Sequence, residues 1–286
     1  MAFDAIVVGA RCAGAAAALL LARSGARVLL VDKGIYGTDT LSTHALMRGG
    51  VLQLHRWGVL PAIVAAGTPP VRSTTFGYTT QDVTVPIEPR FGVDALYAPR
   101  RALLDRVLVD AAANSGAEVR YGVRVEDLIV DDQGRVRGVA AVDAGARRAL
   151  HADLVIGADG LHSTIARRVG APCIAEGRYS AGTLYSYWEG VQSDGYSWIY
   201  RDGASIGTIP TNGATCVFAG VSSARFAREV RGRAPAAYRR WIREVSPVFD
   251  ARLEEARRLE PVRGFGGIAG YIRRSTGPGW ALVGDA

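Results

Sequence analysis

Ala5-Ile6-Val7-Val8-Gly9-Ala10-Arg11-Cys12-Ala13-Gly14 runs directly into Ala15-Ala16-Ala17-Ala18-Leu19-Leu20-Leu21-Ala22. Four apolar residues read as a short buried strand, the glycines as a tight turn, and Ala13–Ala22 as an apolar helix that Gly25 ends. Arg27–Val31 is then a second buried strand, with Asp32 at its tip, eighteen positions after Gly14. Strand, glycine turn, helix, strand and acid together form a backbone cradle for a pyrophosphate. The turn needs glycine, the helix start offers unpaired N–H groups, and the carboxylate accepts ribose hydroxyls. Arg11 occupies the middle glycine of G-x-G-x-x-G, where it could face a phosphate or crowd its approach. Cys12 reads as a small turn residue, with a reactive thiol as the alternative. The motif points to a dinucleotide and leaves NAD or FAD open.

The same strand–glycine–acid design recurs twice. Leu154-Val-Ile-Gly157-Ala158-Asp159-Gly160-Leu-His-Ser163 places an acid at the end of a buried strand, with Ser163 suited to cap the next helix. Trp280-Ala-Leu-Val-Gly284-Asp285-Ala286 repeats it at the other end of the sequence. Arg100 and Arg101 open a helix over 101–113, where two cations oppose the macrodipole. Either an anion lies nearby, or Arg101 pairs with Asp105 at i, i+4. Leu46–Ala66 reads as helical with a break near Gly58 and Pro61, Val71–Ile87 as a β-hairpin, and Asp132-Gln133-Gly134 as a hairpin turn. Strands and helices alternate at both ends around a β-rich middle, so a parallel α/β domain is interrupted by a sheet domain.

Gly9–Gly14 with Asp32, Asp159-Gly160 with Ser163, and Gly284-Asp285 resemble the ordered motifs of the group A flavoprotein monooxygenases. These are the para-hydroxybenzoate hydroxylase-like FAD family, to which the geranylgeranyl reductases are related. The family's Arg-x-x-x-Asp matches Arg101 and Asp105, and its flavin-contacting Arg matches Arg48 in Leu46-Met-Arg-Gly-Gly-Val-Leu52. Ala166 departs from an Arg often found after the Ser, with Arg167 adjacent. The resemblance covers essentially the whole chain. It implies a Rossmann-like FAD-binding domain of the glutathione reductase type (residues 1–70, 97–170 and 275–286). An α+β substrate domain (71–96 and 171–274) would interrupt it.

It also implies FAD contacts at Gly9, Ala10, Arg11, Cys12, Ala13, Gly14, Asp32, Lys33, Arg48, Arg101, Val125, Asp159, Gly160, Gly284 and Asp285. Asp32 would hold the adenosine ribose, Arg48 and Arg101 the pyrophosphate side, and Asp285 the ribityl chain. NADPH or NADH would be a transient reductant. The expected activity is monooxygenation of a small aromatic or polyketide-like molecule with molecular oxygen, and the rival is reduction of carbon–carbon double bonds. Flavin halogenation is disfavoured, because the only lysine is Lys33, beside Asp32, and W-x-W-x-I is reduced to Ser197-Trp198-Ile199.

No residue declares itself a general acid or base. His44, in Asp39-Thr-Leu-Ser-Thr-His44, could approach a flavin ring or be a plain loop histidine. Tyr185 and Tyr187, then Tyr196, Trp198 and Tyr200, alternate at period two and would pave one sheet face, as substrate floor or as core.

Of the net charge of +7, eleven Arg and six acids between Arg225 and Arg263 supply +5. Tyr238, Trp241, Ile242 and Val245 recur there at helical spacing, so the arginines read as a solvated helix face, and no nucleic-acid-binding motif accompanies them. Three cysteines without metal spacing fit a reducing cytoplasm, Asp4 argues against a signal peptide, and no apolar run is long enough to span a bilayer. Because Gly284-Asp285-Ala286 closes the sequence where a helix should follow, the chain is expected to be C-terminally truncated and to hold FAD poorly.

Overall fold

The computed structural model describes residues 2–42 and 44–286. It has two compact units: Met1–Asp39 with Arg101–Ala175 and Tyr271–Ala286, and Thr40–Arg100 with Glu176–Gly270.

The first unit is built on a parallel sheet. Its order is Trp280–Leu282, Ala146–Gly157, Phe3–Val8, Val28–Asp32 and Glu118–Tyr121, so the first strand of the chain is central. Central strands of a parallel sheet are covered on both faces, which is why Ile6, Val7, Leu29, Leu30 and Val31 are all fully buried. Helices Cys12–Arg23 and Arg101–Asn114 lie in this unit with Ala15, Ala18, Leu19, Leu104 and Leu108 buried. Strands Arg124–Val130 and Val136–Asp143 form the expected hairpin, turned at Asp131–Gly134 with Gly134 at φ +77°.

The second unit is an antiparallel sheet ordered Arg257–Arg258, Ala181–Glu189, Ala214–Ser222, Ala204–Thr211, Tyr196–Arg201, Ser73–Gly77 and Asp82–Pro86. One pair, Tyr196–Arg201 with Ser73–Gly77, is parallel. Helix Ala234–Val245 packs Tyr238, Trp241, Ile242 and Val245 against one face of this sheet. Its arginines point away and are answered by carboxylates: Arg239 and Arg243 by Asp250 (2.8 and 2.7 Å), and Arg240 by Glu229 (2.8 Å). The arginines of this helix are therefore paired on its outer side, as expected of a solvated face.

The expected domain boundary at residue 70 moves to 40. Backbone bridges join Leu46 to Tyr97 and Val71 to Leu96, and the Asn212 side chain donates to the Ala66 carbonyl (3.1 Å). These long-range bonds draw 40–70 into the second unit, where helices Arg48–Arg56 and Leu60–Ala65 flank the anticipated break at Gly58. The other boundaries move by only a few residues.

Candidate functional site

In the first unit the glycine turn is dictated by space. Gly9 has φ +109°, and a Cβ there would lie 2.4 Å from the Ala158 carbonyl oxygen; one on Gly14 would lie 1.8 Å from the Gly9 carbonyl oxygen. Only glycine lets two strands and the helix start approach this closely. Arg11 is different. Its φ of −94° and ψ of −171° suit any residue, so the chain does not require glycine at the middle position. It is the N-cap of helix Cys12–Arg23 and makes no side-chain cap, leaving the first helical N–H groups to other partners.

The Arg11 guanidinium turns aside to the Thr38 carbonyl (2.7 Å) and the Asp105 carboxylate (2.9 Å). Asp105, only 4 % exposed, also pairs with Arg101 (3.0 Å) and accepts from the Cys12 thiol (3.0 Å). Of the two readings of Arg101, the i, i+4 pair is therefore formed. Burial, then the neighbouring Asp105 charge, raises the Cys12 thiol to about 12, so it is a protonated turn residue and not a reactive thiolate.

The Asp32 carboxylate accepts from Ala10 N–H (2.7 Å) and Gly34 N–H (2.6 Å), tying the tip of its strand to the glycine turn. Lys33 beside it is exposed. Val125 packs its half-buried side chain against the core, next to a β-bulge, so only its backbone is free of that packing. Asp159 accepts from Ser163 Oγ (2.5 Å) and Thr164 N–H (2.6 Å), while Ser163 Oγ accepts from Ala166 N–H (2.9 Å). Ser163 is the expected N-cap, and Asp159 is a second cap of the same helix. Gly160 has φ +80°. Gly284 sits so close to the helix that a Cβ would come 2.8 Å from Ala13 Cβ; Asp285 is exposed and its carbonyl accepts from Tyr271 Oη (2.6 Å).

In the second unit, the register Tyr185–Phe218–Gly207–Trp198–Phe76 runs straight across five strands, so the aromatic residues do share a face. Gly207 leaves room for the Phe218 ring, which meets Trp198 at 5.3 Å. Tyr185, Tyr187 and Tyr196 are core, at 3, 2 and 1 % exposure, whereas Trp198 is half-buried and Tyr200 is exposed. His44 is buried at φ +48°, a strained conformation for a residue with a Cβ. Its Nδ1 lies 3.1 Å from the Ala98 carbonyl, which only accepts, so Nδ1 carries a proton, and Nε2 lies 2.8 Å from Tyr187 Oη. Arg100 lies over the Tyr187 ring (3.7 Å to its centroid) and pairs with Glu260 (2.7 Å). That pairing links residues 160 positions apart, and no local pattern announces it. Arg48 donates to the Glu88 (2.6 Å) and Val93 (3.2 Å) carbonyls.

A family model described as "FAD binding domain" matches residues 2–255. The chain belongs to the FAD binding domain family. A menaquinone reductase of Mycolicibacterium smegmatis is 30% identical over 99% of this chain and 69% of its own length. A probable electron transfer flavoprotein-quinone oxidoreductase, YdiS of Escherichia coli K12, is 34% identical over 63% of this chain and 42% of its own length. The chain thus spans only part of such relatives. The flavin-dependent brominase Bmp2 has the same fold, with a TM-score of 0.86 at 19% identity over 100% of this chain and 72% of that one. The first unit fits FAD on its own geometry, because a Cβ would fill the cradle at Gly9 and Gly14 and the helix start above it has no side-chain cap. No helix among the described residues is long and apolar enough to cross a membrane.

Proposed function

We propose that the chain is the FAD-holding part of an oxidoreductase, carried by the cradle that Gly9 and Gly14 keep open before an uncapped helix start. Asp32 would accept from the adenosine ribose, since each oxygen that binds the turn backbone keeps a second lone pair. Arg11, Arg101 and the helix N–H groups would face the pyrophosphate, and Asp285 the ribityl chain. Bound FAD would supply hydride and electron transfer, for which NADPH or NADH is the proposed reductant. The protein's part is to bind, orient and exclude water.

Two finer activities follow from this reading. Reduction of a conjugated double bond or quinone is favoured by the two relatives named for quinone or menaquinone chemistry. Monooxygenation of a small aromatic molecule, the first expectation from the sequence, is the rival. A cytoplasmic location belongs to the same proposal. Adding an oxidised substrate analogue such as menadione anaerobically to the photoreduced, FAD-loaded chain decides between them: reoxidation without oxygen supports the reductase, and reoxidation only after oxygen is admitted supports the monooxygenase. A purified chain that takes up no flavin would overturn the proposal at its root.

Asp32→Ala should weaken FAD binding about ten- to a hundredfold, the loss of hydrogen bonds to a charged group being worth about 1.5–3 kcal/mol. Unchanged affinity in a flavin titration would remove Asp32 from the site. Arg11→Gly restores the G-x-G-x-x-G pattern, yet affinity should fall about three- to tenfold and become less salt-dependent. The reason is that Arg11 is accommodated without strain, and its guanidinium, held by Thr38 and paired with Asp105, would add a cation to the pyrophosphate side. Tighter binding by the glycine variant would show that Arg11 crowds the cofactor.

A further inference from the structure

We infer that the second unit carries a small-molecule site in a cavity of ≈ 260 Å³ on the sheet face opposite the aromatic row, and that its ligand is a zwitterion, an α-amino acid with a short aliphatic side chain. The site goes beyond the oxidoreductase reading and does not depend on it.

A change of residue type along three neighbouring strands makes this cavity. Thr75, Ser197 and Thr208 stand in one row across Ser73–Gly77, Tyr196–Arg201 and Ala204–Thr211. On the same face, the next row holds the partners Ile199 and Ile206, which join the core under helix Ala234–Val245. Small hydroxyl side chains in place of branched aliphatic ones leave room above the floor. Phe249 and Arg252 of helix Pro247–Arg252 line one side, and residues 192–195 another. Ser193 Oγ donates to the Gly195 carbonyl (2.6 Å) and pairs with Thr208 Oγ1 (3.0 Å), which ties that loop to the floor. At about 30 Å³ for each water-sized group, the space suits about nine non-hydrogen atoms, the size of leucine.

Ser73, Gln192, Asp194, Ser197 and Arg252 all line this cavity, and among the described residues none of their side chains has a hydrogen-bond or ion-pair partner. Asp194 and Arg252 are both exposed and do not pair with each other, so each keeps its charge for a ligand. The nearby arginines of helix Ala234–Val245 are, by contrast, paired with Asp250 and Glu229. An uncharged ligand would displace water from both charges and return little, and an anion alone would meet repulsion from Asp194. A zwitterion answers both, its ammonium donating to Asp194 and its carboxylate accepting from Arg252 in charge-assisted bonds. Ile199, Ile206 and Phe249 give the apolar surface on which an aliphatic side chain would lie.

Calorimetric titration of the purified chain, in excess FAD, with L-leucine, L-leucinamide, 4-methylpentanoate and glycine tests this. Leucinamide lacks the carboxylate, 4-methylpentanoate the ammonium and glycine the aliphatic side chain. Leucine should bind at least about tenfold tighter than each of the three, through its paired charges and its buried apolar surface. Arg252→Gln and Asp194→Asn, both at exposed positions, should each weaken leucine at least about tenfold. Arg252→Gln should also erase the advantage of leucine over leucinamide, and Asp194→Asn its advantage over 4-methylpentanoate. No heat of binding with leucine up to about 10 mM overturns the proposal. So does leucine binding no tighter than any one of the three analogues, or either variant binding leucine like the parent.

Discussion

Gly14→Ala is expected to abolish measurable FAD binding and to cost about 3 kcal/mol or more of stability. The added Cβ would stand 1.8 Å from the Gly9 carbonyl oxygen and 3.0 Å from Ala158 Cβ. The nearer atom is backbone, so no rotamer change can relieve the contact. The helix start must instead move away from the turn by more than an ångström, and the close approach that makes the cradle is lost. Flavin affinity should fall more than about a hundredfold, beyond any single hydrogen bond, because the geometry of all the helix-start donors changes together. Gly49→Ala provides the contrast: a Cβ there meets nothing within 4 Å, so it should leave stability unchanged or raise it by about 0.5–1 kcal/mol. Thermal melts and flavin titrations of the two variants check both halves. A Gly14→Ala protein that melts with the parent and binds flavin normally would refute this account of the cradle.

Asp105→Ala should be the most damaging change to a charged residue of the first unit. Asp105 is buried and joins Arg101 of its own helix, Arg11 of the glycine turn and the Cys12 thiol. Deleting it takes the paired carboxylate from Arg101, whose side chain is 18% exposed and which then keeps only the more distant attraction of Asp39, and removing one partner of a buried pair costs about 3–5 kcal/mol. Arg11, at 36% side-chain exposure, can turn to water and adds little. The low end, about 3 kcal/mol, is therefore expected, lowering Tm by about 6–12 °C. Asp105→Asn, which keeps the shape and part of the hydrogen bonding, should lose less. Equal melting of parent and alanine variant would show that solvent screens the cluster.

Local rules made most of the first unit legible. A buried strand, a glycine turn, an apolar helix and a second strand lie within 32 residues, and each is set by neighbours in sequence: hydrophobic runs for the strands, Gly25 for the helix end, Ser163 for a cap. The same locality explains what was missed. Whether 40–70 joins the first or second unit depends on bridges such as Leu46 to Tyr97, about fifty residues apart, which composition cannot register. Period-two alternation correctly placed five aromatic residues on one face, yet it could not tell Tyr187, sealed under Arg100, from Tyr200 at the surface.

The sequence by itself therefore determined the α/β class, the cradle, its acid and the family, because those follow from side-chain size, backbone freedom and short-range periodicity. Only the tertiary structure decided which charges are spent on one another. The two cations at the start of helix Arg101–Asn114 invite an outside anion on paper, but folding brings Asp105 to Arg101 and Glu260 to Arg100. Arg48, equally cationic in sequence, ends beside an apolar cavity and, among the described residues, has only backbone carbonyls for partners. Electrostatic energy depends on separation in space and on solvent exposure, and the chain fixes both only when it folds.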